Sequence, residues 1–294
     1  MSASYQRREM ARNRYLVLPS VILLTAFVLY PSGVAIYTSL TNLSLTGPAA
    51  LNPRFIGLGN YARLLHDGSF WHSLVVTFWF VLFSAIIGQL ALGLASAVLM
   101  RRRFALRPFF NAIILMPNAV PGVVAALMWS SMLASGDYGT LNKIVAWFGV
   151  DPQRWLVTFP LSMIIVINIW RGIGFAMILM TSGLSAISDE LYEAARMDGA
   201  TPWQSFRRIT LPLLVPTIFL YLLVSTVTTI AIFSLVYALT RGGPAGATEI
   251  IGIYVYNQSF DAYRLGYGSA IAVVLLIISL IIGMFYVRAL KVEV

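Results

Sequence analysis

The sequence has 294 residues, of which 59% are hydrophobic and only 11% are charged, and its formal net charge is +9. Soluble domains carry about 25% charged residues, so this composition excludes an ordinary soluble protein and intrinsic disorder, and the absence of cysteine excludes disulfide scaffolds and cysteine-ligated metal sites. Because the basic residues flank long apolar runs, membrane orientation explains the positive charge, and no nucleic-acid partner is expected.

Six apolar runs are each long enough to cross the hydrocarbon core of a bilayer, which takes about 20 helical residues. The runs are continuously apolar rather than alternating, which favours helices over a β-barrel. We therefore predict an all-α membrane protein with six transmembrane helices, the third kinked by Pro117 and Pro121. The predicted spans are Leu16–Leu40, Trp71–Met100, Phe109–Leu133, Leu156–Leu184, Leu211–Leu239 and Ser269–Leu290.

The distribution of Lys and Arg sets the orientation of these spans. With the N-terminus inside, the inner segments hold thirteen of these basic residues and the outer segments hold six, while Arg171 lies within the fourth span. Both termini are therefore predicted to be cytoplasmic, with residues 1–15 as a cytoplasmic tail. Topology also explains the cluster Arg101–Arg103, for which a lipid-headgroup site is the alternative.

The longest inner connection joins the fourth and fifth spans, at about residues 185–210. Ser188 is a suitable N-cap, the residues after it favour a helix, Gly199 is a suitable stop, and Thr201-Pro202 can begin a second short helix. We predict a helix, a glycine bend and a second helix at the cytoplasmic face. Composition alone would favour a solvated connector over a docking element. The acidic residues of this loop are Asp189, Glu190, Glu193 and Asp198.

The order of residues in this loop resembles the EAA loop of binding-protein-dependent ABC importer permeases. The matching positions are Glu193-Ala194-Ala195, Asp198-Gly199-Ala200, Phe206, Ile209, Leu211-Pro212 and Pro216. Other segments are similar to the carbohydrate-uptake type, the maltose and glycerol-3-phosphate permease family, and within it to the first partner of each pair. These segments are Leu18-Pro19 through Leu40, Phe55–Tyr61, Thr240 with Gly242-Gly243-Pro244, and Gly266–Ala270.

The resemblance implies a permease (MetI-like) domain over residues 16–294, with its EAA loop at about 185–212. It implies that the chain moves a sugar or related solute inward by alternating access. The sequence has no Walker A motif, so the chain is interpreted as a transport subunit and not an enzyme. The alternative is an ABC permease for a non-sugar solute, such as glycerol phosphate, an amino acid or phosphate.

The implied partners complete an importer of the cell membrane. They are two ATPase subunits, a second six-span permease in a heterodimer, an extracytoplasmic solute-binding protein, and the sugar itself. ATP and magnesium belong to the ATPase subunits, and no cofactor is expected in this chain. A channel, an ion-coupled carrier or an intramembrane enzyme is disfavoured because no acidic residue lies in the middle of a span.

The resemblance assigns the EAA loop the task of docking into a groove of the ATPase. Glu193 would pair with a basic group there, and the alternative is a local pair with Arg196 at i+3. Gly199 permits the bend, and the small alanines permit close approach. The implied docking residues are Glu193, Ala194, Ala195, Asp198, Gly199, Ala200 and Phe206.

Two sets of polar residues in the fourth and fifth spans are candidates for a solute path, because polar groups at mid-membrane are costly. The first set follows i, i+3, i+4 and i+7, and the second i, i+3 and i+4, so that each set occupies one helix face. Carbohydrate permeases resemble this in placing their cavity between these helices, and such groups suit a sugar. The candidates are Asn168, Arg171, Gly172, Phe175, Ser225, Thr228 and Thr229.

Several of the solute-path candidates also have a structural alternative. The Ser and Thr hydroxyls can bond their own backbone, and Gly172 can serve close helix packing. Arg171 can bond backbone carbonyls or a carboxylate of the partner permease. Gln89 of the second span favours an interhelical hydrogen bond.

The outer side offers weaker signals. His66 and His72 lack the spacing of a metal motif, so no metal site is expected. A set of aromatic residues is consistent with contacts to the binding protein or with anchoring at the membrane interface. These residues are Tyr254, Tyr256, Phe260 and Tyr263.

Overall fold

The computed structural model describes residues 17–101 and 104–292, apart from the side chains of residues 137, 291 and 292. Over these ranges the chain is helical, with one isolated antiparallel bridge between Thr41 and Phe55. The predicted cytoplasmic tail at residues 1–15, together with Leu16, Arg102 and Arg103, lies outside the described residues.

The described α-helices are numbered here in chain order, and π-helical turns within α1, α4 and α11 are included in their bounds. They are α1 (Val17–Ser39), α2 (Pro48–Leu51), α3 (Gly59–Leu65), α4 (Gly68–Met100), α5 (Arg107–Ala119), α6 (Gly122–Met132), α7 (Thr140–Ala146), α8 (Trp155–Thr158), α9 (Pro160–Ser185), α10 (Asp189–Met197), α11 (Pro202–Ile230), α12 (Ser234–Thr240), α13 (Ile251–Tyr256) and α14 (Leu265–Val292).

Five of these helices are long and apolar enough to cross a membrane, namely α1, α4, α9, α11 and α14. The pair α5 and α6 is bent by 107° at its break, and it supplies a sixth span only if it is counted as one. The all-α membrane class is confirmed, and the predicted third span is a broken helix pair. The break falls at Val120-Pro121, because proline lacks an N–H and disfavours helical geometry in the residue before it, whereas α5 continues past Pro117.

Both predicted boundaries of the fifth span were wrong. The fifth span ends at Ile230, not at Leu239, and Ser234–Thr240 forms a separate helix. The last turn of α11 is rich in β-branched residues, whose restricted side-chain rotamers lower their helix propensity. The predicted second short helix of the inner loop is instead continuous with the fifth span, and the two are joined by the π-helical turn Phe206–Thr210.

The described residues fall into two compact units, and the first comprises residues 17–67 and Val255–Leu276. In this unit the side-chain amide of Asn60 donates hydrogen bonds to the carbonyls of Ser39 and Thr41, both at 2.8 Å. The hydroxyls of Ser39 and Tyr61 lie 2.7 Å apart. The Phe55–Tyr61 segment therefore caps the C-terminal end of α1, whose carbonyls lack helical partners.

The second unit comprises Gly68–Tyr254 and residues 277–292, and α9 lies at its centre. Glycines of α9 allow its neighbours to approach closely, as in other membrane helices. A Cβ at Gly174 would lie 2.8 Å from the Ile114 carbonyl of α5, and one at Gly183 would lie 2.6 Å from the Thr217 hydroxyl of α11. This packing fixes the positions of the polar residues on α9.

Candidate functional site

A cavity of about 590 Å³ lies within the second unit, lined by side chains of α4, α5, α9, α11 and the start of α12. All seven solute-path candidates of the sequence analysis line this cavity, so the structure brings both predicted helix faces together. They are Asn168, Arg171, Gly172, Phe175, Ser225, Thr228 and Thr229. The cavity also includes Gln89 and Asn118, which the sequence analysis did not assign to the path.

Gln89 is the centre of a buried hydrogen-bond network that joins three membrane helices. Its amide nitrogen donates to the Asn168 carbonyl at 2.8 Å, and its amide oxygen accepts from the hydroxyls of Tyr221 at 3.1 Å and Ser225 at 3.2 Å. A Cβ on Gly172 would overlap the Gln89 side chain. The interhelical role of Gln89 is thus confirmed, and Gly172 leaves the space that Gln89 occupies.

Two further polar candidates, Asn168 and Thr228, are also engaged within the protein. The Asn168 amide donates to the Ser84 hydroxyl at 2.9 Å, and the Thr228 hydroxyl donates to the Val224 carbonyl of its own helix at 2.8 Å. A hydroxyl that donates its proton to the protein still has lone pairs to accept with. The hydroxyls of this wall therefore offer hydrogen-bond acceptors to a solute that carries hydroxyl groups.

Arg171 is the charged residue of the cavity lining, and it lies beside the break in the third span. Its guanidinium donates to the Val120 carbonyl at 3.4 Å, while its Nε atom is buried without a described partner. The last carbonyls of a helix lack helical partners, and a cation is favoured there. The guanidinium therefore stabilises the C-terminal end of α5, as one of the structural alternatives for Arg171 predicted.

Phe175 supplies the aromatic surface of the cavity. Its ring packs against Tyr221 with centroids 6.1 Å apart and an interplanar angle of 39°. The ring is half-buried, so one part of it is held by Tyr221 while another part faces the cavity. An aromatic ring next to several hydrogen-bonding groups can pack against the apolar face of a sugar.

The predicted helix of the inner loop is present as α10, and its ends match the predicted signals. The Ser188 hydroxyl accepts a hydrogen bond from the Glu190 backbone N–H at 3.3 Å. Gly199 has φ +77°, and the backbone N–H groups of Gly199 and Ala200 bond the carbonyls of Arg196 and Ala195 at 3.1 and 2.9 Å. This pattern is a Schellman C-cap, which requires the left-handed conformation that glycine adopts without strain.

The implied docking residues lie on α10 and the turn after it, which we call the ridge, except for Phe206, which lies on α11. Glu193, Ala194, Asp198 and Gly199 are exposed, and Ala195, Ala200 and Phe206 are half-buried. The local pair between Glu193 and Arg196 is absent from the described residues, because the Arg196 Nε donates instead to the Tyr192 carbonyl at 3.3 Å. The Glu193 carboxylate is therefore available to a partner that binds to the ridge.

The sequence analysis missed the contact that holds this ridge in place. The Arg101 guanidinium forms an ion pair with Asp189 at 2.5 Å and lies over the Tyr192 ring, 4.3 Å from its centroid. The Tyr192 hydroxyl lies 2.9 Å from that of Thr210. Sequence reasoning assigned Arg101 to topology, with a lipid-headgroup site as the alternative, and no local signal links positions 88 residues apart.

The outer-side candidates are placed as follows. His66 and His72 each have a ring nitrogen within hydrogen-bond distance of a backbone carbonyl, at 2.9 Å and 3.1 Å. Tyr254 is buried, with 2% of its surface exposed, so its ring belongs to the core and not to a surface that contacts the binding protein or the membrane interface. Phe260 and Tyr263 are each 49% exposed.

The fold and the cavity define a polytopic helical membrane protein with a polar chamber and an exposed loop helix between α9 and α11. Residues 89–291 match the family described as binding-protein-dependent transport system inner membrane component. The chain belongs to this family: it is a multi-pass permease subunit of an ABC importer.

Three curated relatives align over nearly the whole chain. The trehalose/maltose transport system permease protein MalF of Thermococcus litoralis is 33% identical over 98% of this chain and 96% of that protein. The sulfoquinovosyl glycerol permease SmoG of Agrobacterium fabrum is 32% identical over 94% and 89%. The sn-glycerol-3-phosphate permease UgpA of the same organism is 35% identical over 93% and 92%.

Solved structures share the fold. A chain of a bacterial alginate ABC transporter, in complex with an alginate pentasaccharide-bound periplasmic protein, has a TM-score of 0.82 at 22% identity, over 97% of this chain and 95% of that chain. A chain of the MetNI methionine ABC transporter in an inward-facing conformation has a TM-score of 0.56 at 21% identity, over 80% and 99%. At these identities the similarity is one of fold.

Proposed function

We propose that this chain moves a sugar or related solute into the cell by alternating access. Separate ATPase subunits would supply the energy, and an external binding protein would deliver the solute. A second six-span permease would complete the translocation path, and both termini would lie in the cytoplasm. ATP and magnesium would be held by the ATPase subunits. Support comes from the relatives, whose names specify trehalose/maltose, sulfoquinovosyl glycerol and glycerol 3-phosphate.

The observation that carries the solute assignment is the cavity, with its acceptor-rich wall and its aromatic ring. Sugars carry many hydroxyl donors and one or more apolar faces, and this combination fits both features. Glycerol phosphate is the second candidate solute, because UgpA is named as an sn-glycerol-3-phosphate permease. Arg171 would then bind the charge of the phosphate.

The solute path is tested by uptake into proteoliposomes that hold the full transporter and its binding protein at saturation. We expect Phe175→Leu to lower the uptake rate, because the ring surface that packs on the sugar is lost. Phe83→Leu is the matched control, since Phe83 is 45% exposed on α4 and does not line the cavity. Equal rates for the two variants would reject the cavity as the path.

Arg171 is tested separately with a neutral and a phosphorylated solute. If the guanidinium contacts solute, Arg171→Ala weakens the apparent affinity for the phosphorylated solute more than for the neutral one. An unchanged apparent affinity for both solutes would reject the contact and leave Arg171 with its role at the α5 terminus.

The ridge on α10 is proposed to dock into the ATPase. When the ATPase dimer closes, the docked helix would be carried with it, and the two permease halves would rock between inward-open and outward-open states. Such coupling needs contacts that differ between the two states, and an exposed carboxylate beside small residues suits a tight charged interface.

Docking is tested by charge reversal at Glu193. Glu193→Lys is expected to reduce the amount of ATPase that purifies with the tagged chain, with unchanged membrane insertion. Asp151→Lys is the matched control, because Asp151 is an exposed carboxylate far along the chain from the loop. Normal uptake and normal ATPase recovery for Glu193→Lys would contradict the docking role of Glu193.

A further inference from the structure

A cleft of about 430 Å³ lies on the first turns of α11, and we call it the basic cleft. Its walls are Trp203, Gln204, Arg207 and Arg208. Spacings of three and four residues place Gln204 beside both arginines on the helix surface. Trp203 is 68% exposed, and its ring stacks on Phe206 with centroids 5.6 Å apart, which holds the indole in one orientation.

The polar groups that the basic cleft presents are all hydrogen-bond donors. The Gln204 amide oxygen is occupied, because it accepts from the backbone N–H of Thr201 at 2.7 Å and from its hydroxyl at 3.1 Å. This leaves the amide nitrogen, the indole N–H and two guanidinium groups. Among the described residues, no ion pair engages Arg207 or Arg208. Two unpaired cations with a full set of donors suit an anion with several oxygens, such as a phosphate group.

The position of the basic cleft along α11 places it at the edge of the membrane. The helix continues from Pro202 to Ile230, and its apolar part from Leu211 to Ile230 is about 30 Å long, the thickness of the hydrocarbon core. Arg207 and Arg208 precede Leu211 by about 5 Å along the axis. The headgroup layer extends about 5–8 Å beyond the hydrocarbon core, which puts guanidinium groups at this position within reach of phospholipid phosphates.

We propose that the basic cleft binds the phosphate group of an anionic phospholipid. Assignment of this lipid to the cytoplasmic leaflet rests on the proposed orientation of the chain. Trp203 fits the same environment, since tryptophan concentrates at membrane interfaces. The bound lipid would fasten the start of α11, and thereby the turn that follows α10, to the bilayer surface.

The test uses the full chain purified with its co-purifying subunits, and native mass spectrometry counts the lipid that each complex retains. The wild type is expected to retain phosphatidylglycerol and not phosphatidylcholine. In the double variant Arg207→Gln/Arg208→Gln, the mole fraction of phosphatidylglycerol at which half of the complexes retain a lipid should rise about 25-fold. This corresponds to about fivefold for each basic group at a membrane surface. Arg154→Gln is the control, because it removes one exposed arginine outside the cleft.

A second variant separates a shaped site from simple attraction of charge. Arg207→Lys/Arg208→Lys keeps the net charge but loses the planar fork that binds two phosphate oxygens at once. We expect it to lose most of the retained lipid, with Trp203→Ala intermediate. Full lipid retention by the lysine variant would show only the general attraction of basic residues to an acidic membrane. That result would overturn the proposal that the basic cleft is a shaped phosphate site.

Two further outcomes would overturn the lipid assignment. Inorganic phosphate at millimolar concentration is added to the detergent-solubilised complex, and displacement of the lipid by it would assign the cleft to a soluble anion. Loss of ATPase subunits from the glutamine variant, with lipid retention unchanged, would assign the arginines to the ATPase interface. Lipid retention is measured without any transported solute, so failure of the sugar assignment leaves this test intact.

Discussion

The guanidinium of Arg101 at the end of α4 lies 2.5 Å from the carboxylate of Asp189, the first residue of α10. The same guanidinium lies over the Tyr192 ring, and Tyr192 reaches Thr210 of α11 through its hydroxyl. The loop helix is thus fastened to two membrane helices at once. If a docked partner displaces α10, these contacts would pass the displacement directly to α4 and α11.

We predict that Arg101→Gln uncouples ATP hydrolysis from transport with little loss of stability. The side chains of the pair are 36% and 84% exposed, and exposed pairs stabilise a protein by only about 0–1 kcal/mol. The role of the pair is therefore positional. In proteoliposomes, the amount of solute moved per ATP hydrolysed should fall several-fold, while the unfolding temperature stays close to that of the wild type.

A charge swap provides the control for Arg101. Arg101→Asp and Asp189→Arg should each lower the coupling ratio, and the double variant should restore part of it, since the pair is re-formed with opposite polarity. Effects of the two single changes that simply add in the double variant would show that the residues act independently.

Gly172→Ala is predicted to destabilise the permease. The added methyl group would overlap the Gln89 side chain, and overpacking a membrane core costs about 1–3 kcal/mol. Gly33→Ala is the control, because nothing lies within 4 Å of the added Cβ in that membrane helix. Thermal unfolding in detergent, followed by tryptophan fluorescence, should separate the two variants, and equal unfolding temperatures would contradict the packing.

Gly199→Ala is predicted to weaken the ATPase interface through the backbone alone. Gly199 has φ +77° and open space around its Cβ position, so the cost is the left-handed conformation, about 1–2 kcal/mol for alanine. Gly199→Asn should be milder, since asparagine tolerates this region.

The matched control for Gly199 is Gly149→Ala. Gly149 has φ +74° and an equally open surrounding, but it lies outside the inner loop. ATPase recovery with the tagged chain should fall for Gly199→Ala and stay normal for Gly149→Ala. Equal recovery of ATPase from both variants would show that docking does not depend on the Schellman cap at Gly199.

Local signals in the sequence predicted the features that local chemistry determines. Ser188 and Gly199 define both ends of α10, and helical spacing placed the polar residues of α9 and α11 on faces that meet in one cavity. The end of α11 at Ile230 was missed, because apolar composition alone does not distinguish a span from the short helix that follows it. The Arg101–Asp189 pair was missed because it depends on the tertiary packing of α4 against α9.

The central claim, that this chain works as one subunit of an ATP-driven importer, is tested most directly by purifying the tagged chain from its native membrane in mild detergent. Mass spectrometry then identifies the proteins that accompany it. We expect an ATPase with a Walker A motif and a second six-span permease, and Glu193→Lys should reduce the recovery of the ATPase. Reproducible recovery of the chain alone, with transport retained after reconstitution, would contradict the claim and indicate an autonomous carrier or channel.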